Sequence, residues 1–209
     1  MRDAMPVVVL ISGRGSNLES ILRSGAPVAA VISNEADAGG LQIAERSGVP
    51  ARVVSHREYP TREAFDAALA AEIDRFAPRL VAMAGFMRIV TPGFVERYSG
   101  RLVNIHPSLL PAFPGLSTHA RALAAGVKVH GCTVHFVTRE LDHGPIIVQA
   151  AVPVLAGDTA QVLAARVLRE EHLVYPRAIR WFLEGRLVSE NGVVRVVGND
   201  AQLVYSAHV

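Results

Sequence analysis

Asn104 and His106 are the residues of this sequence whose types and spacing best suit a preorganised chemical site. They stand two apart in Leu102–His106, an apolar run that predicts a strand. Side chains two apart in a strand point to the same face, so both would face one crevice. Taken singly, each is more commonly a satisfied core residue. The pair is the stronger candidate, because Pro107 and the prolines after it make a rigid exit from the strand.

Asp142 is the carboxylate that could complete this pair. It lies in a glycine-flanked loop, Leu141-Asp142-His143-Gly144, between two predicted strands. The alternative is a turn aspartate that bonds its own backbone. If Asp142 instead approaches His106, its negative charge favours the imidazolium form of the ring.

A glycine loop, Gly13-Arg14-Gly15-Ser16-Asn17-Leu18, lies between the first predicted strand and a helix. The backbone N–H groups of such a loop can hold an anion, and phosphate is the natural ligand. The loop is not a dinucleotide fingerprint, because Leu18 stands where the third glycine should be, and it lacks the Gly-Lys-Ser/Thr ending of a P-loop. A glycine turn needed only for backbone geometry is the alternative, and the pattern leaves both open.

Glu171 lies at the border of the apolar face of a long C-terminal helix. Counted from Leu163 at about 100° per residue, the apolar side chains span about 60° and Glu171 falls near 80°. The pattern alone favours a boundary carboxylate with its head in water.

The sequence predicts no metal site. The histidines stand at no recognised metal-ligand spacing, and Cys132 is the only cysteine, which excludes a cysteine-based zinc site.

Alternating strand and helix patterns must position these residues, and they predict an α/β fold. We expect a doubly wound, mostly parallel Rossmann-like sheet with late antiparallel strands, then a C-terminal helix and a hairpin. Ligands of such sheets bind beyond the carboxyl ends of the strands, where the candidate loops lie. Strands are predicted at 6–11, 27–33, 51–55, 80–84, 102–106, 127–137 and 145–152. Helices are predicted at 17–23, 40–47, from an N-cap at Thr61 to Phe76, at 92–98, 118–125 and 159–184, the last kinked at Pro176, with the hairpin over 187–205.

Length and composition predict one domain over residues 1–209. Of these 209 residues 50% are hydrophobic, which excludes disorder as the main state. The formal charge of +2 is too weak to argue for nucleic acid. With no secretory leader, no membrane-length apolar run and one cysteine, we expect small-molecule substrates, no membrane partner and a cytoplasmic location. A homodimer is left open.

Six ordered motifs cover nearly the whole chain and resemble the phosphoribosylglycinamide formyltransferase family of folate-dependent enzymes. They are VLISGRGSNL around Leu10, AGFMRI from Ala84, NIHPSLLPAFPG from Asn104, HGCTVHFV from His130, LDHGPI from Leu141 and EEHLVYP from Glu170.

The resemblance implies formyl transfer from 10-formyltetrahydrofolate to the amine of glycinamide ribonucleotide in purine biosynthesis. Asn104, His106 and Asp142 would then be catalytic. The remaining implied roles fall into two groups. Substrate-binding positions are Gly15, Ser16, Asn17 and Glu171, and folate-binding positions are Arg62, Met87, Arg88, Ile89, Val90, Thr138, Arg139, Glu140 and Leu141. The resemblance also divides the chain into a phosphate-binding half, about 1–100, and a catalytic and folate-binding half, about 101–209.

Two positions depart from the family pattern. His143 stands where relatives often have glycine, and Ser117 stands where they often have histidine. Neither departure involves the three catalytic positions.

Three other functions are weighed against this one. A hydrolase that releases formate from the same donor tends to have a second histidine where Pro107 stands. A transferase acting on initiator tRNA would need a C-terminal basic domain. A non-catalytic nucleotide-binding module remains compatible with a glycine loop on such a sheet.

Overall fold

A computed structural model describes residues 6–205 of the chain, which form two compact units. The first unit ends at Asn104 and the second begins at Ile105. The predicted domain over 1–209 includes residues 1–5 and 206–209, which lie outside the described residues. One domain over the whole chain stays a prediction.

The first unit is built on parallel strands in the order β3-β2-β1-β4-β5. All five residues of β1 are buried and apolar, as is typical of a parallel strand whose two faces are covered by helices. Strand β5 contains the boundary between the units, with Asn104 before it and His106 after it. The bounds are β1 Val7–Ile11, β2 Val28–Ser33, β3 Ala51–Val53, β4 Leu80–Met83 and β5 Leu102–His106.

Four helices and a 3-10 turn at His56–Glu58 connect these strands: α1 Ser16–Arg23, α2 Gly39–Arg46, α3 Arg62–Asp74 and α4 Pro92–Arg97. The predicted cap of α3 is confirmed, since Thr61 Oγ1 accepts a hydrogen bond from Ala64 N at 3.1 Å. The prediction that Phe76 belongs to α3 is wrong. The helix ends at Asp74, and Ala77, with a φ of 42°, leaves the helical conformation before Pro78.

The second unit pairs β6 (Val129–Phe136) with β7 (Ile146–Pro153) in antiparallel fashion. Helix α5 covers Thr118–Ala124, and α6 runs over Ala160–Leu183. Helix α6 continues through Pro176 and packs against β6 and β7. The mostly parallel sheet with late antiparallel strands and a C-terminal helix is therefore confirmed.

The C-terminal hairpin is shorter than predicted. Strands β8 (Leu187–Glu190) and β9 (Val193–Val196) form it, around Asn191 and Gly192, which both have positive φ. A further strand, β10 (Leu203–Tyr205), pairs with β7 in parallel. The prediction of one hairpin over 187–205 is therefore wrong at its C-terminal end.

No helix in the part of the chain that the structure describes is long and apolar enough to cross a membrane.

Candidate active site

His106 and Asp142 form a buried pair in the second unit. His106 Nδ1 lies 3.4 Å from Asp142 Oδ2, and each side chain is 7% exposed. The other ring nitrogen, Nε2, lies 3.0 Å from the carbonyl oxygen of Phe113. A carbonyl only accepts, so Nε2 carries a hydrogen in this contact. Both ring nitrogens face oxygen acceptors, an arrangement that suits a doubly protonated imidazolium.

Asp142 is held by its loop as well as by the histidine. Oδ2 accepts a hydrogen bond from Gly115 N at 2.8 Å, and Oδ1 lies 3.9 Å from Nε2 of His135. The backbone of Asp142 has a φ of 56°, a left-handed conformation that costs free energy in most non-glycine residues. The approach of Asp142 to His106, left conditional by the sequence, is found, and the alternative of a self-bonded turn aspartate is not.

Gly144 makes the tight turn after Asp142 feasible. A Cβ at this position would lie 1.6 Å from the carbonyl oxygen of Phe136. Only glycine fits such a close approach of two backbones.

A buried polar cluster fixes the loop between β5 and α5, and sequence reasoning missed it. Ser108 Oγ donates to the carbonyls of Ala112 at 2.6 Å and Phe113 at 3.2 Å. Thr133 Oγ1 donates to Ser108 O at 2.7 Å, and Gln149 Nε2 donates to Thr133 Oγ1 at 3.0 Å. These bonds hold the carbonyl that contacts His106.

Burial lowers the pKa of three further histidines in this unit. Burial lowers the pKa of His130 to about 4, and the positive charge of a protonated His119 acts in the same direction. His130 Nε2 lies 3.2 Å from His119 Nδ1. Burial likewise lowers the pKa of His119 and of His135. Ser117 is exposed and immediately precedes α5.

Asn104 is half-buried and stands two residues before His106 in β5. It is aligned with Met83 of the neighbouring β4.

Glu171 is buried, at 7% exposure, as is the adjacent Glu170. The prediction from the helical pattern, a carboxylate with its head in water, is therefore wrong. The reason is the packing of α6 against β6 and β7, which a helical projection does not contain. Burial raises the pKa of the Cys132 thiol on β6, and the negative charge of Glu171 adds to the effect.

The glycine loop of the first unit turns directly into α1. Gly15 has a φ of 83°, and a Cβ there would lie 2.6 Å from Cα of Gly40. Gly40 N donates to Gly13 O at 3.0 Å, which ties the loop to the start of α2. Ser16 is the first residue of α1, and Asn17 is buried beside it. The amides at this helix start can hold an anion.

The folate-binding positions that the resemblance implies lie at the start of α3 and in one loop of each unit. In the first unit Arg62 donates to the carbonyl of Ile89 at 2.6 Å, Met87 and Ile89 are exposed, and Arg88 and Val90 are half-buried. In the second unit Thr138 Oγ1 donates to Glu140 O at 3.3 Å, and His143 Nδ1 contacts Leu141 O at 2.8 Å. Arg139, Glu140 and Leu141 are exposed in this loop.

Among residues 6–205 no group of three or more histidine, cysteine or carboxylate side chains could hold a metal ion. The expectation of no metal stays a prediction.

Comparisons with known proteins show the family of the chain. The family model described as formyl transferase matches residues 5–179. Phosphoribosylglycinamide formyltransferase of Escherichia coli strain K12 is 52% identical over 189 residues, covering 88% of this chain and 89% of that protein.

Two solved structures are similar over nearly all of both chains. Glycinamide ribonucleotide transformylase 1 from Symbiobacterium toebii has a TM-score of 0.91 and 53% identity, covering 95% of this chain and 96% of its own. Phosphoribosylglycinamide formyltransferase from Anaplasma phagocytophilum has a TM-score of 0.91 and 41% identity, covering 97% and 99%. The chain belongs to the formyl transferase family.

Proposed function

We propose that this chain transfers the formyl group of 10-formyltetrahydrofolate to the amine of glycinamide ribonucleotide, a step of purine biosynthesis. The family and the names of relatives that match over most of their length support the proposal. The observation that carries it in this chain is the buried His106–Asp142 pair at the end of β5. None of these relatives is named as a hydrolase or a tRNA enzyme.

The reaction begins when the neutral amine attacks the formyl carbon. A carbon–nitrogen bond forms, and the carbonyl electrons move to oxygen to give a tetrahedral intermediate. Asn104 is assigned to donate a hydrogen bond to that oxygen, which is worth about 3 to 4 kcal/mol for comparable oxyanion donors. Collapse of the intermediate breaks the bond from carbon to the folate nitrogen, which leaves with the proton that the amine loses.

His106 and Asp142 are assigned to stabilise the charge and to assist this proton transfer. An imidazolium beside the oxyanion would lower the energy of the oxyanion while the ring keeps its contacts with Asp142 and Phe113. Direct transfer from Nε2 requires the ring to leave the Phe113 carbonyl that it contacts at 3.0 Å. In both cases Asp142 Oδ2 faces the other ring nitrogen, Nδ1, at 3.4 Å.

The binding roles are assigned to residues in both halves of the chain. Gly15, Ser16 and Asn17 would hold the substrate phosphate, for which the start of α1 offers backbone amides. Glu171 would accept hydrogen bonds from the substrate. Folate would contact Arg62, the segment 87–90 and the loop 138–141. The folate is a co-substrate, and no metal takes part in the scheme.

One assay tests the proposal. The protein is incubated with 10-formyltetrahydrofolate, with and without glycinamide ribonucleotide, and loss of the formyl donor is followed. Loss that depends on the amine is expected. Loss without the amine would indicate a hydrolase, and no loss in either case would indicate a binding protein.

The proposal also covers the cellular location of the protein, and its oligomeric state is to be measured. A cytoplasmic, reducing location is supported by Cys132, the only cysteine, which is buried and unpaired with another thiol. The proposed partners are small molecules, with neither nucleic acid nor membrane. Light scattering at several concentrations would separate a homodimer from a monomer.

A further inference from the structure

The segment 87–90 is fixed only in part by packing of its own side chains. Arg88 and Val90 are half-buried, and the Arg88 guanidinium lies 6.0 Å from the centroid of the Phe65 ring. Met87 is 66% exposed and Ile89 is 61% exposed. Where side chains are exposed, hydrogen bonds from the main chain to the rest of the fold add local stability. The structure supplies such bonds at both ends of the segment.

Ser12 holds the first end. Strands β1 and β4 pair up to Leu10 and Met83, and Ser12 N donates to Gly85 O at 3.2 Å. Gly85, with a φ of 74°, then turns the chain away from β1. Beyond that turn Ser12 Oγ accepts a hydrogen bond from Met87 N at 2.7 Å. A side-chain oxygen thus continues the ladder where the backbone no longer reaches.

A buried amide orients the Ser12 hydroxyl. Ser12 Oγ donates its only hydrogen to Asn34 Oδ1 at 2.5 Å, which leaves a lone pair for Met87 N. Asn34 is 2% exposed, and its Nδ2 lies 3.1 Å from Nδ1 of His56.

Asp66 holds the second end. Its Oδ2 accepts a hydrogen bond from Thr91 N at 2.6 Å, and the residue is 4% exposed on α3. Thr91 in turn caps α4 by accepting from Phe94 N at 3.4 Å. A carboxylate acceptor makes a stronger bond than a neutral oxygen does.

We propose that Ser12 and Asp66 are positioning residues for the folate co-substrate. They hold Met87 N and Thr91 N, and so preorganise the segment 87–90 before the ligand binds. Neither side chain needs to touch the ligand. The inference rests on the proposed function for the assignment of this segment to folate. When either bond is lost, the segment has to become ordered as the folate binds. The affinity for the folate then falls, and the chemical step is unchanged.

Steady-state kinetics of Ser12→Ala and Asp66→Ala test the proposal. The KM for the formyl donor should rise about fivefold to tenfold, as expected for one lost hydrogen bond, with kcat and the KM for glycinamide ribonucleotide within about twofold. Ser12→Thr and Asp66→Asn keep an acceptor and should restore most of the affinity. Ser24→Ala and Asp74→Ala are matched controls. Ser24 Oγ donates to Ile21 O, Asp74 accepts from Tyr98 and Arg97, and none of these bonds involves the segment.

Amide hydrogen exchange of the ligand-free variants separates this proposal from the proposed function. Met87 N–H should lose protection in Ser12→Ala, and Thr91 N–H in Asp66→Ala, whatever reaction the protein catalyses. Unchanged protection overturns the proposal even in an active transferase. Lost protection with an unchanged KM for the donor also overturns it, as does an equal rise in both KM values. An inactive wild-type protein with the expected exchange would refute the proposed function and leave the two hydrogen bonds established.

Discussion

His106 Nδ1 lies 3.4 Å from Asp142 Oδ2, and both side chains are buried. The same carboxylate oxygen accepts from Gly115 N, so Asp142 joins the exit of β5 to the loop after β6. A charge in this position acts on the ring through a medium of low dielectric constant, where its effect is larger than in water.

Asp142→Asn should lower kcat about a hundredfold or more, with a modest loss of ligand affinity. Asparagine tolerates the positive φ of this position and can still accept from Gly115 N, so the change removes mainly the negative charge. Steady-state kinetics measure the effect, with the exposed Asp37→Asn as control. Near-normal turnover in Asp142→Asn would refute its role.

Asn104→Ala should also lower kcat about a hundredfold or more, because the intermediate loses its assigned hydrogen-bond donor. Binding of both ligands should change little. Single-turnover kinetics isolate the chemical step, and Asn199→Ala, an exposed asparagine, serves as control. If Asn104→Ala weakens binding while the chemical step keeps its rate, the amide is a binding group.

Gly15→Ala should raise the Kd for glycinamide ribonucleotide at least about tenfold. The added Cβ would lie 2.6 Å from Gly40 Cα, at a φ of 83° that alanine adopts at a cost of about 1 to 2 kcal/mol. Gly13→Ala is the matched control in the same loop, since a Cβ there meets nothing within 4 Å. Calorimetry measures both. Equal affinities of the two variants would contradict the phosphate assignment.

Glu171→Gln should raise the Kd for glycinamide ribonucleotide about tenfold or more, the amount expected for hydrogen bonds to a charged group. Glu170→Gln provides a close comparison, because the two carboxylates are adjacent in α6 and equally buried at 7% exposure. Calorimetry on both variants decides the matter. A loss of affinity as large in Glu170→Gln would show that burial of charge, and not recognition, is being measured.

Stability should fall as the pH falls below about 6.5. The pKa of His130 is about 4 in the folded protein, below its ordinary 6.5, so the unfolded chain binds the proton more readily. The free energy of unfolding therefore loses nothing to His130 above pH 6.5. Between pH 6.5 and 4 it falls progressively, because the unfolded chain takes up a proton on His130 that the folded protein does not. The lowered pKa values of His119 and His135 act in the same direction.

Thermal unfolding between about pH 7 and 5.5 checks this prediction before most carboxylates titrate. His130→Gln should flatten the dependence of Tm on pH, and the exposed His143→Gln should leave the slope as it is. An unchanged slope in His130→Gln would show that His130 protonates without cost in the folded protein.

The strand and the histidine at its end could be predicted because their signals are local. Leu102–His106 is an apolar run closed by Pro107, and the strand observed has the same bounds. The approach of Asp142 could only be stated as a condition, because a loop distant in sequence brings it there. The structure meets that condition at 3.4 Å.

Other features depend on contacts that the sequence pattern does not contain. The burial of Glu171 comes from packing of α6 on two strands. Strand β10 is three residues long, too short for a readable alternation, and its pairing with β7 is distant in sequence. Ser12 and Asp66 accept hydrogen bonds from main-chain amides. Every residue but proline has such an amide, so the residue types of the segment do not reveal these bonds.

Because the segment 87–90 is held through the main-chain atoms of Met87, Ile89 and Thr91, its outward side chains are free to vary without loosening it. An inhibitor that relied on the side chains of Met87 or Ile89 would be open to resistance by single substitutions. An inhibitor that bound the main-chain atoms of the segment would be less sensitive to single substitutions.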